Sequence, residues 1–406
     1  MRKSFLKNYI YTMLLLLGIT SCSWYDTEDD ITYERTVLVY MAADNNLSYS
    51  TSNFAQQDLD EMISAAGDIP SNCRLIVYLD NTNLPCILSI EQQKGRRPIA
   101  KVVHQYAEEH NSSDAETLHS FMEWATNNYP AESYGLVIWS HGDAWMPAKT
   151  PAQRAVCLDS GAGNSWMEIA DIADALRDCP RMEFILFDAC FMQCIEVAYE
   201  LRHATNYIVA SPAEIPAPGA PYNHIVKGMF MPSNSAHHIA EKYYLEYNDG
   251  KIAIPGYGSE TYGVCLSVVD CGRLEMLAEV TREMLDKYAD TRDEIDLKGI
   301  QRYFLRDTSS RPYFYDMNGY MKRLLTDSED YALWASVFDM AVPHRKATTH
   351  WYSDYTGKEE IDANNYGGVS CYVPQPISTR TKLNEAFRST SWYHAAGWKA
   401  WYHTIE

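Results

Sequence analysis

Cysteine is scarce in this chain. There are 10 in 406 residues, with no C-x-x-C pair and no His at zinc spacing, which excludes both a disulfide scaffold and a zinc finger or ribbon. Basic residues are outnumbered, 34 Lys and Arg against 54 Asp and Glu, for a formal charge of −20. Without a basic face the chain is not built to neutralise phosphates, so nucleic acid is excluded as a partner. No apolar run is long enough to cross a bilayer as a finished helix. No strand is followed by a G-x-S-x-G elbow, which removes the α/β serine hydrolases, and no Asp-x-Asp-x-Asp calcium loop occurs. Internal repeats and low-complexity tracts are missing too. What remains is an ordinary globular composition, 46% hydrophobic and 22% charged, in a chain long enough for two domains.

The segment 1–22 reads as an address. Arg2, Lys3 and Lys7 make a positive region ahead of an apolar stretch at 10–19, the form of a signal peptide. Ile19-Thr20-Ser21-Cys22 resembles the bacterial lipobox, so Cys22 is expected to carry a lipid anchor to a membrane. Residues 23–32, with Asp26, Glu28, Asp29 and Asp30, form an acidic tether that resembles the surface-export signals of Bacteroidetes lipoproteins. The expected location is outside the cytoplasm, anchored to a bacterial outer membrane and displayed at the cell surface. With Cys22 lipidated, nine cysteines remain, and an odd number leaves at least one thiol outside any intramolecular disulfide.

Beyond the tether, apolar runs alternate with amphipathic stretches. The segments 37–42, 75–79, 136–139, 184–187 and 207–210 have the continuous apolar character of parallel strands buried on both faces. Leu118, Phe121, Met122 and Ala125 keep helical spacing behind Ser113-x-x-Glu116, as do Ile169, Ile172, Ala173 and Leu176 behind Ser165-x-x-Glu168. This alternation predicts an α/β fold, a mostly parallel sheet with helices on both faces, over residues 33–250. Residues 251–406 change texture. A strand is expected at 262–270, a helix at 274–285, a late strand at 368–373 and a polar loop at 346–365, so this region completes the sheet and adds helices. Trp398 and Trp401 stand at helical spacing and, with Trp392, read as packing residues rather than a carbohydrate platform.

Open parallel sheets do their chemistry at the carboxyl ends of their strands. After the 136–139 strand comes Ser140-His141-Gly142-Asp143, and after the 184–187 strand comes Asp188-Ala189-Cys190-Phe191-Met192. A His and a Cys thus leave two strands at one edge, about 50 residues apart as in caspases. An imidazole beside a thiol can ionise it and later protonate a leaving amine. A helix following Cys190 is expected to turn its positive end toward the sulfur. Taken singly, His141 would be a satisfied strand-end histidine and Cys190 a small buried hydrophobe; taken together they read as a catalytic dyad.

These residues, with Tyr40-Met41-Ala42-Ala43-Asp44-Asn45-Asn46-Leu47 before them and Ala210-Ser211-Pro212-Ala213-Glu214 and Gly219-Ala220-Pro221-Tyr222 after, resemble the clostripain family of clan CD cysteine peptidases. The resemblance covers residues 33 to about 230 and is looser beyond. It implies a caspase-like α/β/α sandwich and an endopeptidase in which Cys190 is the nucleophile and His141 its partner. The backbone N–H groups of Gly142 and Cys190 would form the oxyanion hole. It also implies peptide or protein substrates with Arg or Lys before the cleaved bond. A buried carboxylate would explain that preference; Asp188, two residues before Cys190 and so expected on the same sheet face, and Glu214 are the candidates, with Ser211 as a further substrate-binding residue. Asp44 stands where legumain-like relatives use an Asn to orient the histidine, but Asp-Asn-Asn before a helix reads first as a turn or helix cap. Lys149 and Arg154, in the Pro- and Gly-bearing stretch 143–164, are the basic residues available for self-activating internal cleavage. No cofactor is required, calcium stimulates some members, and a monomer is expected. The alternative from another class is a lipid-anchored peptide- or protein-binding lipoprotein on an inactive peptidase scaffold.

Overall fold

Runs of Val, Ile, Leu and Tyr become strands here because both of their faces find helices to pack against. The computed structural model describes residues 32–49, 52–146, 155–250, 252–254, 260–303, 314–353, 356–362, 365–375 and 381–401. The chain divides into Met1–Thr32 and Tyr33–Glu406, and the fold below is that of the second unit. Its strands are β1 (Tyr33–Ala42), β2 (Cys73–Asp80), β3 (Cys86–Glu91), β4 (Ile99–Gln105), β5 (Ala131–Trp139), β6 (Val156–Asp159), β7 (Ser165–Met167) and β8 (Met182–Asp188). They continue with β9 (Thr205–Ala210), β10 (Cys265–Asp270), β11 (Phe314–Asp316), β12 (His344–Ala347), β13 (His350–Ser353), β14 (Gly357–Glu360) and β15 (Ser370–Tyr372).

Nine of them form one sheet in the order β12-β10-β9-β8-β5-β1-β2-β3-β4. The five central strands, β9 to β2, are parallel, as their apolar character predicts. Both edges are antiparallel: β3 and β4 extend one side, and β10 and β12 the other. The sheet is therefore mixed outside its core. Along β1 the alternation is complete, with Leu38, Tyr40 and Ala42 on one side and Val37, Val39 and Met41 on the other. The helices needed here are α1 (Phe54–Ser64), α2 (Ala115–Asn128), α3 (Ile169–Ala175), α4 (Ile195–Glu200), α5 (Tyr222–Met229), α6 (Ser235–Asn248) and α7 (Leu274–Lys287). The first core packs α2, α3, α4 and α7 on one face; the second packs α1, α5 and α6 on the other. Each fully buried side chain of the size of Phe121 contributes about 1.5–3 kcal/mol.

Several local expectations need correction. Asp114, not Ser113, caps α2 by accepting the Glu116 N–H, because its extended backbone puts the carboxylate over the first turn. Ser165 belongs to β7, and Glu168 is the cap of α3, in a reciprocal capping box with Asp171. The stretch read as a polar loop contains the β13–β14 hairpin, whose Trp351 is wholly buried. The late strand β15 pairs with β11 rather than joining the large sheet. Trp392 and Trp398 are buried, with Trp398 against Tyr320 and Phe387, in keeping with a packing role.

Candidate active site

β5 and β8 are hydrogen-bonded neighbours with Trp139 opposite Asp188, so the residues that follow them emerge side by side. Ser140 N–H still donates to Asp188 O at 3.4 Å, after which the two loops diverge. A short strand then braces the histidine loop. Cys157 N–H donates to His141 O at 3.2 Å and Asp143 N–H to Ala155 O at 2.6 Å, a pairing that leaves the Gly142 N–H out of the ladder. Gly142 is required by proximity. A Cβ there would lie 2.7 Å from Cys190 O and 3.0 Å from Met192 Sδ, inside contact distance. The nucleophile loop carries strain at the next residue, since Phe191 has φ 64°, the left-handed region that side chains rarely enter. Its N–H is anchored on Ala213 O at 3.0 Å.

The two reactive side chains are half-buried, each with a defined neighbour. Cys190 Sγ accepts the Ile215 N–H at 3.2 Å and lies 3.6 Å from Ile215 O, to which the thiol can donate. It is a free thiol, as are the other eight cysteines among the described residues. His141 Nε2 lies 2.8 Å from Asn46 Oδ1, and its ring centre is 6.3 Å from that of Trp166 in β7. The expected helix N-terminus does not meet the sulfur. α4 starts at Ile195 with Cys194 as its cap, so a turn intervenes and the polarising N–H beside Cys190 is that of Ile215.

Asp188 ends β8 and is 5% exposed. Ala220 N–H donates to both of its oxygens at 3.1 and 3.0 Å, Tyr222 OH to Oδ2 at 3.1 Å and Tyr243 OH to Oδ1 at 3.2 Å. These partners belong to the α5 and α6 layer, whereas Cys190 packs toward the opposite core, so the expectation of a shared face fails. Strand alternation stops at Asp188, and the turn at Phe191 re-aims the chain. Burial pushes the Asp188 carboxyl up to about 6, against the lowering effect of these donors. A second carboxylate sits beside it. Asp58 of α1 accepts Trp139 Nε1–H at 2.6 Å, and its pKa is raised well above the usual range by burial and then by the Asp188 charge. Gly219, at φ +64°, fits against both: a Cβ would lie 3.0 Å from Asp188 Oδ2 and 3.2 Å from Asp58 Oδ2.

The remaining expected residues scatter. Ser211 is wholly buried, and its hydroxyl is engaged with the Ala213 backbone at 3.0 Å, so it shapes its own loop instead of facing a substrate. Glu214 is half-buried between Ala213 and Ile215. Asp44 does not touch His141. Its Oδ2 accepts Gly161 N–H at 3.0 Å, because the chain turns at the end of β1 and carries Asn46, two residues on, to the imidazole. Burial and then the Asp159 charge raise its pKa. Lys149, Arg154 and Cys22 lie outside the described residues. No group of three His, Cys, Asp or Glu among the described residues could hold a metal ion, and no described helix is long and apolar enough to cross a membrane. The later part of the chain reaches the site through Ala213, which packs with Cys265, Tyr303, Trp351, Ile361 and Tyr366.

The sequence alone does not reveal Asn46, Ile215, Asp58 or Trp166. Asp44-Asn45-Asn46 reads as a turn, and only the fold shows which of its three side chains meets the histidine.

A family model described as the clostripain family matches residues 39–403. Clostripain of Hathewaya histolytica is 28% identical over 222 residues, 47% of this chain, and the match spans only 41% of that protein's length. A secreted C11 cysteine protease from Bacteroides thetaiotaomicron, solved in complex with an irreversible peptide inhibitor, is 33% identical, with a TM-score of 0.79 over 90% of this chain and 99% of its own. An inactive zymogen C11 protease from Parabacteroides distasonis is 31% identical, with a TM-score of 0.76 over 90% of this chain and 98% of its own. The strand order, the paired loops carrying His141 and Cys190 and a family match across nearly all of the folded unit converge: the chain belongs to the clostripain family of cysteine peptidases and has its caspase-like fold.

Proposed function

We propose that the protein is an exported cysteine endopeptidase that cleaves after Arg or Lys, with Cys190 as nucleophile and His141 as proton-transfer partner. The observation that carries this reading is the meeting of two loops at adjacent strand ends, close enough that Gly142 has no room for a side chain against Cys190. The Cys190 thiolate bonds to the scissile carbonyl carbon as the C=O pair moves onto oxygen, where the Gly142 and Cys190 N–H groups receive it. His141, as imidazolium, gives its proton to the departing amine as the C–N bond breaks, leaving a thioester. Water then attacks; its proton passes to the imidazole, and the thiolate leaves as the peptide acid forms.

Two buried carboxylates support the basic preference. Among the described residues, Asp188 and Asp58 are bonded only by neutral donors, and a guanidinium or ammonium would supply the positive charge they lack. Glu214, one residue before the Ile215 that meets Cys190 Sγ, is a third candidate acid. Activation by cleavage after Lys149 or Arg154, in the segment just before β6, is consistent with an inactive zymogen among the similar structures. Lipid attachment at Cys22 and outer-membrane display complete the proposal, with the enzyme acting as a monomer and calcium as an optional stimulant.

The test is hydrolysis of fluorogenic peptides ending in Arg, Lys, Asp or Asn by the protein starting at residue 23, beside Cys190→Ala and Asp188→Asn. Cleavage after Arg or Lys should vanish in the first variant. In the second, kcat/KM should fall at least about 30-fold, the cost of removing one partner of a buried charge pair. Activity that survives Cys190→Ala refutes the nucleophile, and cleavage only after Asp or Asn refutes the pocket.

A further inference from the structure

We infer that Trp166 forms the subsite for the residue that follows the cleaved bond, and that this subsite takes an apolar or aromatic side chain. The inference rests on Cys190 and His141 as the reacting pair. His141 gives its proton to the departing amine, and that nitrogen belongs to the residue after the cleaved bond. The acyl part of the substrate stays on Cys190, so the departing residue lies toward the imidazole and beyond it. Trp166 stands in that direction. In the sheet order β8-β5-β1, Cys190 follows β8 and His141 follows β5, and the β6–β7 hairpin continues the row away from Cys190. Gly142 bridges to Val156 of β6, and Val156 in turn pairs with Met167 of β7. The Trp166 ring centre is 6.3 Å from that of His141, within the range of direct ring contact. A side chain that begins on the carbon next to the departing nitrogen is therefore delivered to the indole.

The hairpin holds this ring still and turns it outward. Met167 is wholly buried in the first core, and the Ser165 hydroxyl is 2.6 Å from Ser113 Oγ and 3.1 Å from Asn111 Oδ1. Both neighbours of Trp166 thus point into the protein, and the alternation of a strand sends Trp166 the other way, where it is half-buried. The turn between β6 and β7 is fastened to the end of β1: Ser160 N–H donates to Asp44 O at 2.7 Å, Gly161 N–H to Asp44 Oδ2 at 3.0 Å, and the Asn45 side-chain amide to Leu158 O at 3.0 Å. Charge is turned inward at the same corner. Asp44 and Asp159 are buried and accept the Gly161 and Ala162 N–H groups, and Glu168 is spent on capping α3. What the hairpin presents beside the imidazole is an aromatic face, which favours apolar and aromatic side chains over charged ones.

The test uses the reverse of amine departure. An amine that captures the thioester enters where the departing amine left: its nitrogen bonds to the carbonyl carbon, its proton passes to His141, and the C–S bond breaks to release the Cys190 thiolate. The protein starting at residue 23, Trp166→Ala and Trp166→Tyr are acylated with a blocked arginine methyl ester. The thioester is then shared between water and phenylalanine, leucine, glycine or aspartic acid amide, and the ratio of peptide to acid is read. Both products arise from one intermediate, so the ratio does not depend on how fast that intermediate forms. In the parent, phenylalanine and leucine amides should capture it about 10-fold better than glycine amide, the lower end of apolar discrimination because the ring is half-exposed. Trp166→Ala should bring the three to within about twofold of one another, while Trp166→Tyr keeps most of the preference. Should Trp166→Ala not fold, Trp166→Leu is read in its place, with leucine amide then overtaking phenylalanine amide. A parent with no preference, a preference that survives loss of the ring, or a parent that favours aspartic acid amide overturns the subsite. No turnover of the ester, or turnover that persists in Cys190→Ala, instead overturns the reacting pair on which the subsite rests.

Discussion

Replacing Glu196 by Gln should change how stability responds to pH while leaving the shape of the protein alone. Glu196 lies in α4, just beyond the nucleophile loop, and is 1% exposed. Its Oε1 accepts the Tyr372 N–H of β15 at 2.9 Å, with the Cys194 and Trp145 side chains beside it. Among the described residues no cation is a main influence on it, and burial pushes its pKa up from 4.5 to about 7. The sign follows from linkage. A carboxyl whose folded pKa is raised binds more protons when folded, so its contribution is fully present below pH 4.5 and is lost as pH rises to about 7. Over the interval from pH 5 to pH 8, this single group costs the wild type about 2.5 kcal/mol that the variant does not lose. Other titrating groups are common to both proteins and cancel in the comparison. The assay is urea unfolding at both pH values, in a Cys190→Ala background that prevents self-cleavage. The variant should gain about 2.5 kcal/mol relative to the wild type on going to pH 8, or roughly 3 °C in melting temperature for a body of this size. A gap that is the same at both pH values would show that Glu196 ionises at an ordinary pKa, and the account of its buried surroundings would be wrong.

Two further substitutions probe the geometry. Gly142→Ala places a Cβ 2.7 Å from Cys190 O and should force the two loops apart, lowering kcat about 100-fold with little change in melting temperature; kcat within twofold of wild type refutes the close approach. Trp351→Ala empties the small core that holds Ala213 and should cost about 3–5 kcal/mol in chemical denaturation, together with a loss of kcat/KM. Unchanged kcat/KM in a folded Trp351→Ala protein would mean that the C-terminal hairpin does not set the position of the Ile215 loop.

What the sequence made legible depended on how many faces each segment buries. The five parallel strands are apolar throughout because helices cover both sides, and so they stand out. Ile99–Gln105 does not, since an edge strand with Lys101 and Val102 toward solvent has neither a clean alternation nor a continuous apolar run. The β13–β14 hairpin was hidden for a similar reason, as only Trp351 and Ser353 of its strand residues are buried and the rest are half-buried or exposed. His141 and Cys190 could be read because strand ends are where such sheets gather reactive groups. The direction of Cys190 relative to Asp188 could not, because β8 and its alternation end at Asp188 and the chain is re-aimed through the left-handed turn at Phe191, which no residue type announces. Asn46 was equally hidden: three polar residues in a row specify a turn, and the choice of Asn46 over Asp44 is made by β6 holding Asn45 and the turn just after β6 holding Asp44.

The order of strands in the large sheet also decides what an internal break would do. β5 and β8 come from opposite sides of residues 147–154, yet they are paired along their length, and β5 is in turn paired with β1. β6, which follows that segment, is bonded to the His141 loop that precedes it. A cut after Lys149 or Arg154 would therefore sever covalent continuity without creating two separable pieces. Each fragment would hold strands whose only hydrogen-bonding neighbours on one side belong to the other, and His141 and Cys190 would sit on different polypeptides of a single folded body.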